Sequence, residues 1–157
     1  DRVPYLSDVA RLDNYVGRVE RSQYQEVDFQ SFSAIGEDLS TCRLILNSGL
    51  EFFRSVYPVV SIWEAHKSHT PQDTLSFAQA KRMIAKGRGQ NVLVYRSGWR
   101  GMAEAISEKD IALLERLRKQ PSIAEAFGEG VLDETNFTGW LQDMISKRVI
   151  VGARTIH

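Results

Sequence analysis

The stretch Phe53-Arg54-Ser55-Val56-Tyr57-Pro58-Val59-Val60-Ser61-Ile62-Trp63-Glu64-Ala65-His66 changes its hydrophobic period halfway along. Up to Tyr57 it reads as the end of an apolar strand. Pro58 cannot donate to a strand ladder, but at a helix start its missing N–H would be unpaired anyway. Beyond it, Val59, Ile62, Trp63 and His66 recur at helical spacing. A strand that breaks at proline into a helix puts both element types in one short segment. The segment therefore predicts an α+β protein.

Towards the N-terminus, Leu6, Val9, Leu12, Val16 and Val19 predict an amphipathic helix over residues 6–22. Asp28 to Ile35 reads as a short helix or turn closed by Gly36. Arg43 to Asn47 and Glu51 to Tyr57 read as two strands around an Asn47-Ser48-Gly49 turn. On the other side, residues 68–74 form a polar linker, and Leu75 to Lys86 is a helical patch stopped at Gly87. Asn91 to Arg96, a Ser97-Gly98 turn, and Trp99 to Ile106 then predict a hairpin. Ser107 reads as an N-cap with Asp110 at the third helical position, and Ile111, Leu114 and Leu117 as the buried face behind it.

Pro121 opens a shorter helix through Phe127. Asp133 caps a third helix, with Phe137, Trp140, Leu141, Met144 and Ile145 on one face, and Val149 to Val151 reads as a last strand. Two lobes are expected: 1–74, a helix plus a strand pair, and 75–157, a hairpin plus three helices in winged-helix-like order.

Charge and cysteine usage narrow the functions. Among 157 residues, 20 cations balance 20 anions, so no global field draws the chain to nucleic acid or to an anionic membrane. A 43% hydrophobic content argues against wholesale disorder. Cys42 stands alone, which excludes an internal disulfide framework and a cysteine-based zinc site. It reads as a core thiol in a reducing cytoplasm. No apolar run approaches the roughly 20 residues of a membrane span, and no signal peptide is visible. Starting at Asp1 rather than Met, the chain reads as part of a longer protein.

Winged-helix order serves DNA reading by the third helix or peptide capture at a sheet edge. From Ser107 to Arg148, six cations face eight acids, and the third helix begins Asp133-Glu134. DNA affinity depends on neutralised phosphates, so nucleic acid is the disfavoured partner. The basic stretch lies earlier: Lys81, Arg82, Lys86, Arg88, Arg96 and Arg100 occur with no acid between Asp73 and Glu104. It reads either as a solvated helix end and hairpin or as a docking surface for an acidic peptide.

Enzyme chemistry finds little support. His66 and His69 are three apart and could place two ligands on one helix face, but Glu64 is the only acid close in sequence. There is no Gly-x-Ser-x-Gly elbow and no His-Glu-x-x-His pair. No catalytic residue, metal ligand or cofactor of the chain's own is expected. Trp63, Trp99 and Trp140 each have a core reading; Trp99, at the hairpin tip, also reads as an interface anchor.

Pro4-Tyr5-Leu6-Ser7-Asp8-Val9-Ala10-Arg11-Leu12-Asp13 resembles the Pro-Tyr-Leu-x-Asp-Val-Ala-Arg-Leu-Glu opening of one domain in a bacterial family. The Arg54 to His66 segment is similar to that family's Arg-x-Tyr-Pro-Val-x-x-Ile-Trp-x-Ala-His motif. Val92-Leu93-Val94-Tyr95-Arg96-Ser97-Gly98 resembles its Leu-Leu-Val-Trp-Arg-x-Gly hairpin. The domain is the C-terminal one of a family that bears a DNA-binding label and partners multinuclear non-haem iron oxidases, as in bufferin- and methanobactin-type peptide-modification systems. The family's helical N-terminal domain has no counterpart in these residues.

The resemblance implies a cytoplasmic, non-catalytic partner subunit. It would hold the leader of a ribosomally made precursor peptide, as a peptide-recognition element does, and dock on the oxidase that carries the iron. The expected mechanism is strand addition to the Asn91–Ile106 hairpin. Val92, Val94, Arg96, Arg100 and Met102 would meet the leader, with Trp140 and Met144 beneath its apolar side chains. Trp63, His66 and Trp99 are the expected partner interface. A winged-helix transcription regulator and a purely structural subunit of the oxidase remain the alternatives.

Overall fold

Leu12, Val16 and Val19 recur every three or four residues and are buried, forming the inner stripe of helix α1 (Leu6–Arg21). The computed structural model describes residues 4–67, 78, 81–128 and 134–156. Two 3-10 turns follow α1, Phe29–Ala34 and Leu39–Thr41. Each is opened by an aspartate, Asp28 or Asp38, whose side chain accepts a backbone N–H. Strands β1 (Cys42–Leu46) and β2 (Glu51–Ser55) and helix α2 (Val59–Lys67) complete the first part.

Residues 81–85 are helical, and β3 (Gln90–Ser97) and β4 (Arg100–Ile106) form the expected hairpin. Helices α3 (Glu108–Arg118), α4 (Ile123–Phe127) and α5 (Glu134–Ser146) lead to β5 (Ile150–Thr155). The expected linker at 68–74, residues 75–77, 79 and 80 of the patch at 75–86, and the Asp133 cap lie outside the described residues.

Local chemistry accounts for the boundaries. Strand β2 ends at Ser55, short of Tyr57, because the Ser55 hydroxyl turns the chain: it accepts from the Tyr57 N–H at 3.1 Å and donates to Asp8 Oδ2 at 2.6 Å. Pro58 stands just before α2, and its carbonyl accepts the Ile62 N–H at 3.0 Å. The next orphan donors are capped from a distance: Gln90 Oε1 accepts the N–H groups of Val60 and Ser61 at 3.0 and 3.2 Å. Ser107 caps α3 as expected, accepting from the Asp110 N–H at 3.0 Å. Ser122 rather than Pro121 starts α4, accepting from the Glu125 N–H and donating to Glu125 Oε1, both at 3.1 Å.

The architecture is α+β with antiparallel sheets. Strand pairing departs from the hairpin expected at residues 43–57. β1 pairs with β5, and β2 with β3 in the order β2-β3-β4. Asn47-Ser48-Gly49 passes the chain from one sheet to the other, because Asn47 is tied to the far end of the sequence. Its N–H donates to the Val149 carbonyl and its Nδ2 to that of Arg148, each at 2.9 Å. Both sheets therefore draw strands from either side of residue 74. The hairpin, three helices and strand keep winged-helix-like order, and β5 closes on β1 instead of on the hairpin.

Side-chain alternation makes β2-β3-β4 the middle layer. Phe52 and Leu93 face one cluster, shared with Ile111, Leu114, Leu117 and Ile150. Phe53, Val92, Val94 and Ala103 face the other, under Leu12, Val16, Val59 and Trp63. Val92, Leu93 and Val94 are each 0% exposed. Burial of each such side chain stabilises the fold by about 1.5–3 kcal/mol.

Candidate functional site

Strand β4 is the outer member of its sheet, with β3 on one side and no strand on the other among the described residues. Such an edge presents unpaired N–H and C=O groups to any strand that arrives. Helix α1 lies close over one face of it: a Cβ on Gly101 would come within 2.8 Å of both Val16 Cγ1 and the Val16 carbonyl oxygen. Glycine is what lets the helix approach there.

A groove of about 430 Å³ runs beside this edge, lined by Arg100, Gly101, Met102 and Ala103 from β4, Trp63 and Glu64 from α2, and Glu20 from α1. Met102 is 41% exposed, whereas its neighbour Ala103 points into the core. Trp63 is buried and donates its Nε1–H to Asp13 Oδ1 at 3.3 Å, so its ring is a fixed wall. Glu64 is exposed as a residue, yet neighbouring atoms desolvate its carboxyl and push its pKa above the ordinary range.

On the other face of β4, Glu104 holds α5. Its Oε1 accepts from Lys147 Nζ at 2.5 Å and its Oε2 from the Tyr95 hydroxyl at 3.2 Å, while Asp143 Oδ2 lies 3.1 Å from the same ammonium. Burial works against the Lys147 ammonium, but the hydrogen bonds to Glu104 and Asp143 outweigh it and hold its pKa above the usual lysine value. Burial, with the Glu104 charge, pushes Tyr95 up as well. The edge strand is thus braced on both faces and, among the described residues, pairs with no strand along its outer side.

The expected site residues divide into several places. Val92 and Val94 are corrected from peptide contacts to core, because a strand covered on both faces buries alternate side chains alike. Met144 is likewise interior. Trp140 is half-buried and packs edge-on against Phe127 at 5.3 Å, as part of the core rim. Arg100 and Met102 do meet at the β4 groove, with Trp63 as its wall. His66 is exposed towards the end of α2.

Arg96 ties α1 to the hairpin tip, donating Nη1–H to the Ser22 carbonyl at 2.7 Å and Nε–H to that of Gly98 at 2.8 Å. Trp99 stands at that tip, 86% exposed. Sequence reasoning missed Glu20 and Glu64 in the groove, and Tyr24 and Arg148 beside Arg96. Tyr24 sits in an aperiodic stretch and Arg148 at a helix end, so no period marks either of them.

Cys42 is fully buried, and burial pushes its thiol pKa up, away from nucleophile or ligand chemistry. Among the described residues no three His, Cys, Asp or Glu side chains are grouped to hold a metal, and no helix is long and apolar enough to cross a membrane. His69 and His157 lie outside the described residues. Compared with family models, curated proteins and solved structures, the chain matches none of them.

Proposed function

We propose that this chain is a non-catalytic, cytoplasmic partner subunit that captures a precursor-peptide leader by strand addition and presents it to a multinuclear non-haem iron oxidase. The observation that carries the reading is the open outer edge of β4 beside a walled groove. An incoming strand takes its affinity from main-chain pairing with β4 and its selectivity from the groove. Residues on one side of that strand meet the Trp63 wall; those on the other meet Arg100 and Met102, which share a face of β4. The oxidase, and the iron it carries, come into the proposal from the motif resemblance at residues 4–13, 54–66 and 92–98.

Amide hydrogen exchange of the chain, with and without the leader half of a precursor peptide encoded beside an iron oxidase, tests the proposal. Exchange slows across residues 100–106 if the leader adds to β4. Protection that spares those amides defeats strand addition. Protection of α5 by duplex DNA, with affinity falling steeply in salt, would instead favour the regulator reading.

A further inference from the structure

A second surface shares no residue with the β4 groove. Tyr24, Arg96, Gly98, Trp99 and Arg148 line a depression of about 390 Å³. It adjoins a larger one of about 810 Å³, which also contains Tyr24 and Arg148 and adds Phe29 and Glu26. Three large aromatic side chains are open here: Trp99 at 86%, Phe29 at 71% and Tyr24 at 43% exposure. Scattered exposed aromatics need no explanation, but three around joined depressions form a patch of the kind that marks an interaction site.

Two guanidinium groups converge on the same rings. Arg148 Cζ lies 4.8 Å from the Tyr24 centroid, and Arg96 Cζ lies 5.7 Å from Tyr24 and 5.6 Å from Trp99. Elsewhere in the chain Arg18, Arg54 and Lys147 are paired with carboxylates. Among the described residues neither Arg96 nor Arg148 has such a partner. Arg96 donates to two carbonyls, and the Arg148 guanidinium lies over the Tyr24 ring. Arg148 also holds φ 55°, a left-handed conformation just past α5 that glycine occupies without penalty. That conformation closes the end of α5, where the Val149 N–H donates to the Met144 carbonyl at 2.9 Å, and Gln120 holds the same one past α3.

We infer that the Tyr24–Arg96–Trp99–Arg148 patch docks an acidic segment of a partner protein, one with an apolar side chain beside its carboxylates. Carboxylates match the forked donors of arginine, and the apolar side chain lies on Trp99 or Phe29. Charge selects a polypeptide over a nucleic acid. A single strand needs a continuous basic track, whereas the two guanidinium groups here suffice only for a short acidic segment seated on the Tyr24–Trp99 side, away from Glu26.

The probe is an acetylated, amidated pentapeptide, Asp-Glu-Phe-Asp-Leu, titrated into the 15N-labelled chain while the Trp99 indole resonance is followed. A version with lysine at each acidic position and an oligodeoxythymidylate are the comparison ligands. The acidic peptide shifts the Trp99 resonance and the lysine version does not. Arg148→Gly weakens binding by at least about tenfold, yet unfolds at the same or a higher temperature, because glycine relieves the left-handed residue. Trp99→Ala, at an open turn, gives a comparable loss and guards against a folding artefact in the first variant.

Wild-type affinity in both variants, or no movement of the Trp99 resonance, overturns the inference. Tighter binding of the oligonucleotide than of the peptide also overturns it, and assigns the patch to nucleic acid. Leader protection at residues 100–106 stays intact in Arg148→Gly, so failure here and failure of strand addition are separate results.

Discussion

Gly89→Ala puts the hinge between β2 and β3 to a direct test. A Cβ at residue 89 would lie 2.3 Å from the Ser55 carbonyl oxygen and 2.9 and 3.0 Å from the Cα and carbonyl carbon of Val56. All three atoms are backbone, so no side-chain rotation can relieve the clash. The chain must separate where Ser55 pairs with Gln90, and where the Gln90 N–H donates to the Tyr57 carbonyl at 3.1 Å. Overpacking of this kind costs about 1–3 kcal/mol. Each backbone hydrogen bond lost adds about 1 kcal/mol. A shift of Gln90 also withdraws the acceptor that caps α2. A total near 3 kcal/mol lowers the melting temperature by roughly 6–12 °C for a chain of this size.

Urea unfolding followed by circular dichroism measures the change, with an unaltered m-value showing that the end states are the same. Gly36→Ala is the control: a Cβ there meets nothing within 4 Å, and the change is expected to stay within about 0.5 kcal/mol. If the two alanine variants unfold at the same midpoint, the close approach at Gly89 does not hold the hinge.

Leu93→Ala, at a fully buried position of the central strand, is expected to cost about 2–5 kcal/mol in the same urea experiment; a cost below that range would mean the middle layer repacks easily. Gly139→Ala lies on an exposed position of α5 with nothing within 4 Å, and should stabilise the chain by about 0.5–1 kcal/mol, read as a rise in melting temperature. The alkaline limit of stability should report on the Glu104 network. Tyr95 and Lys147 both have pKa values raised in the folded chain, so their contribution is complete below about pH 10 and is lost as pH rises through the folded values. Urea midpoints should therefore fall above about pH 10, and less steeply in Glu104→Gln; equal slopes in the two proteins would remove Glu104 from the account.

Period and capping chemistry were readable because they act over three or four residues. The Leu12–Val16–Val19 stripe, the Ser107–Asp110 cap and the Asn91–Ile106 hairpin all lie within one turn or one loop of their causes. Strand partners are a different matter. Alternation assigns residues to a face of a sheet but does not name the neighbouring strand, so Arg43–Asn47 and Glu51–Tyr57 read as a hairpin that does not exist. The consecutive apolar residues Val92-Leu93-Val94 did carry a usable signal: a run without alternation belongs to a strand covered on both faces. That signal argues against Val92 and Val94 as peptide contacts. Gln90 capping α2, and Tyr24 meeting Arg148, join residues that only the fold brings together.

The tie between β1 and β5 has a temporal consequence. Asn47 and Arg148, bonded at the rim of the smaller sheet, are 101 positions apart. Doubling a closed loop adds only about 0.6 kcal/mol of entropy, but contacts of high sequence separation form late. During synthesis, β2, β3 and β4 can assemble with α1 and α2 while β1 waits without its neighbour for residues 150–155 to leave the ribosome. A nascent chain stalled before Ile150 would display β1 as a bare, apolar edge, open to pairing with another chain. The arrival of β5 therefore does two things at once: Ile150 and Ala153 fill the larger core, and one of the two edges of β1 is taken up.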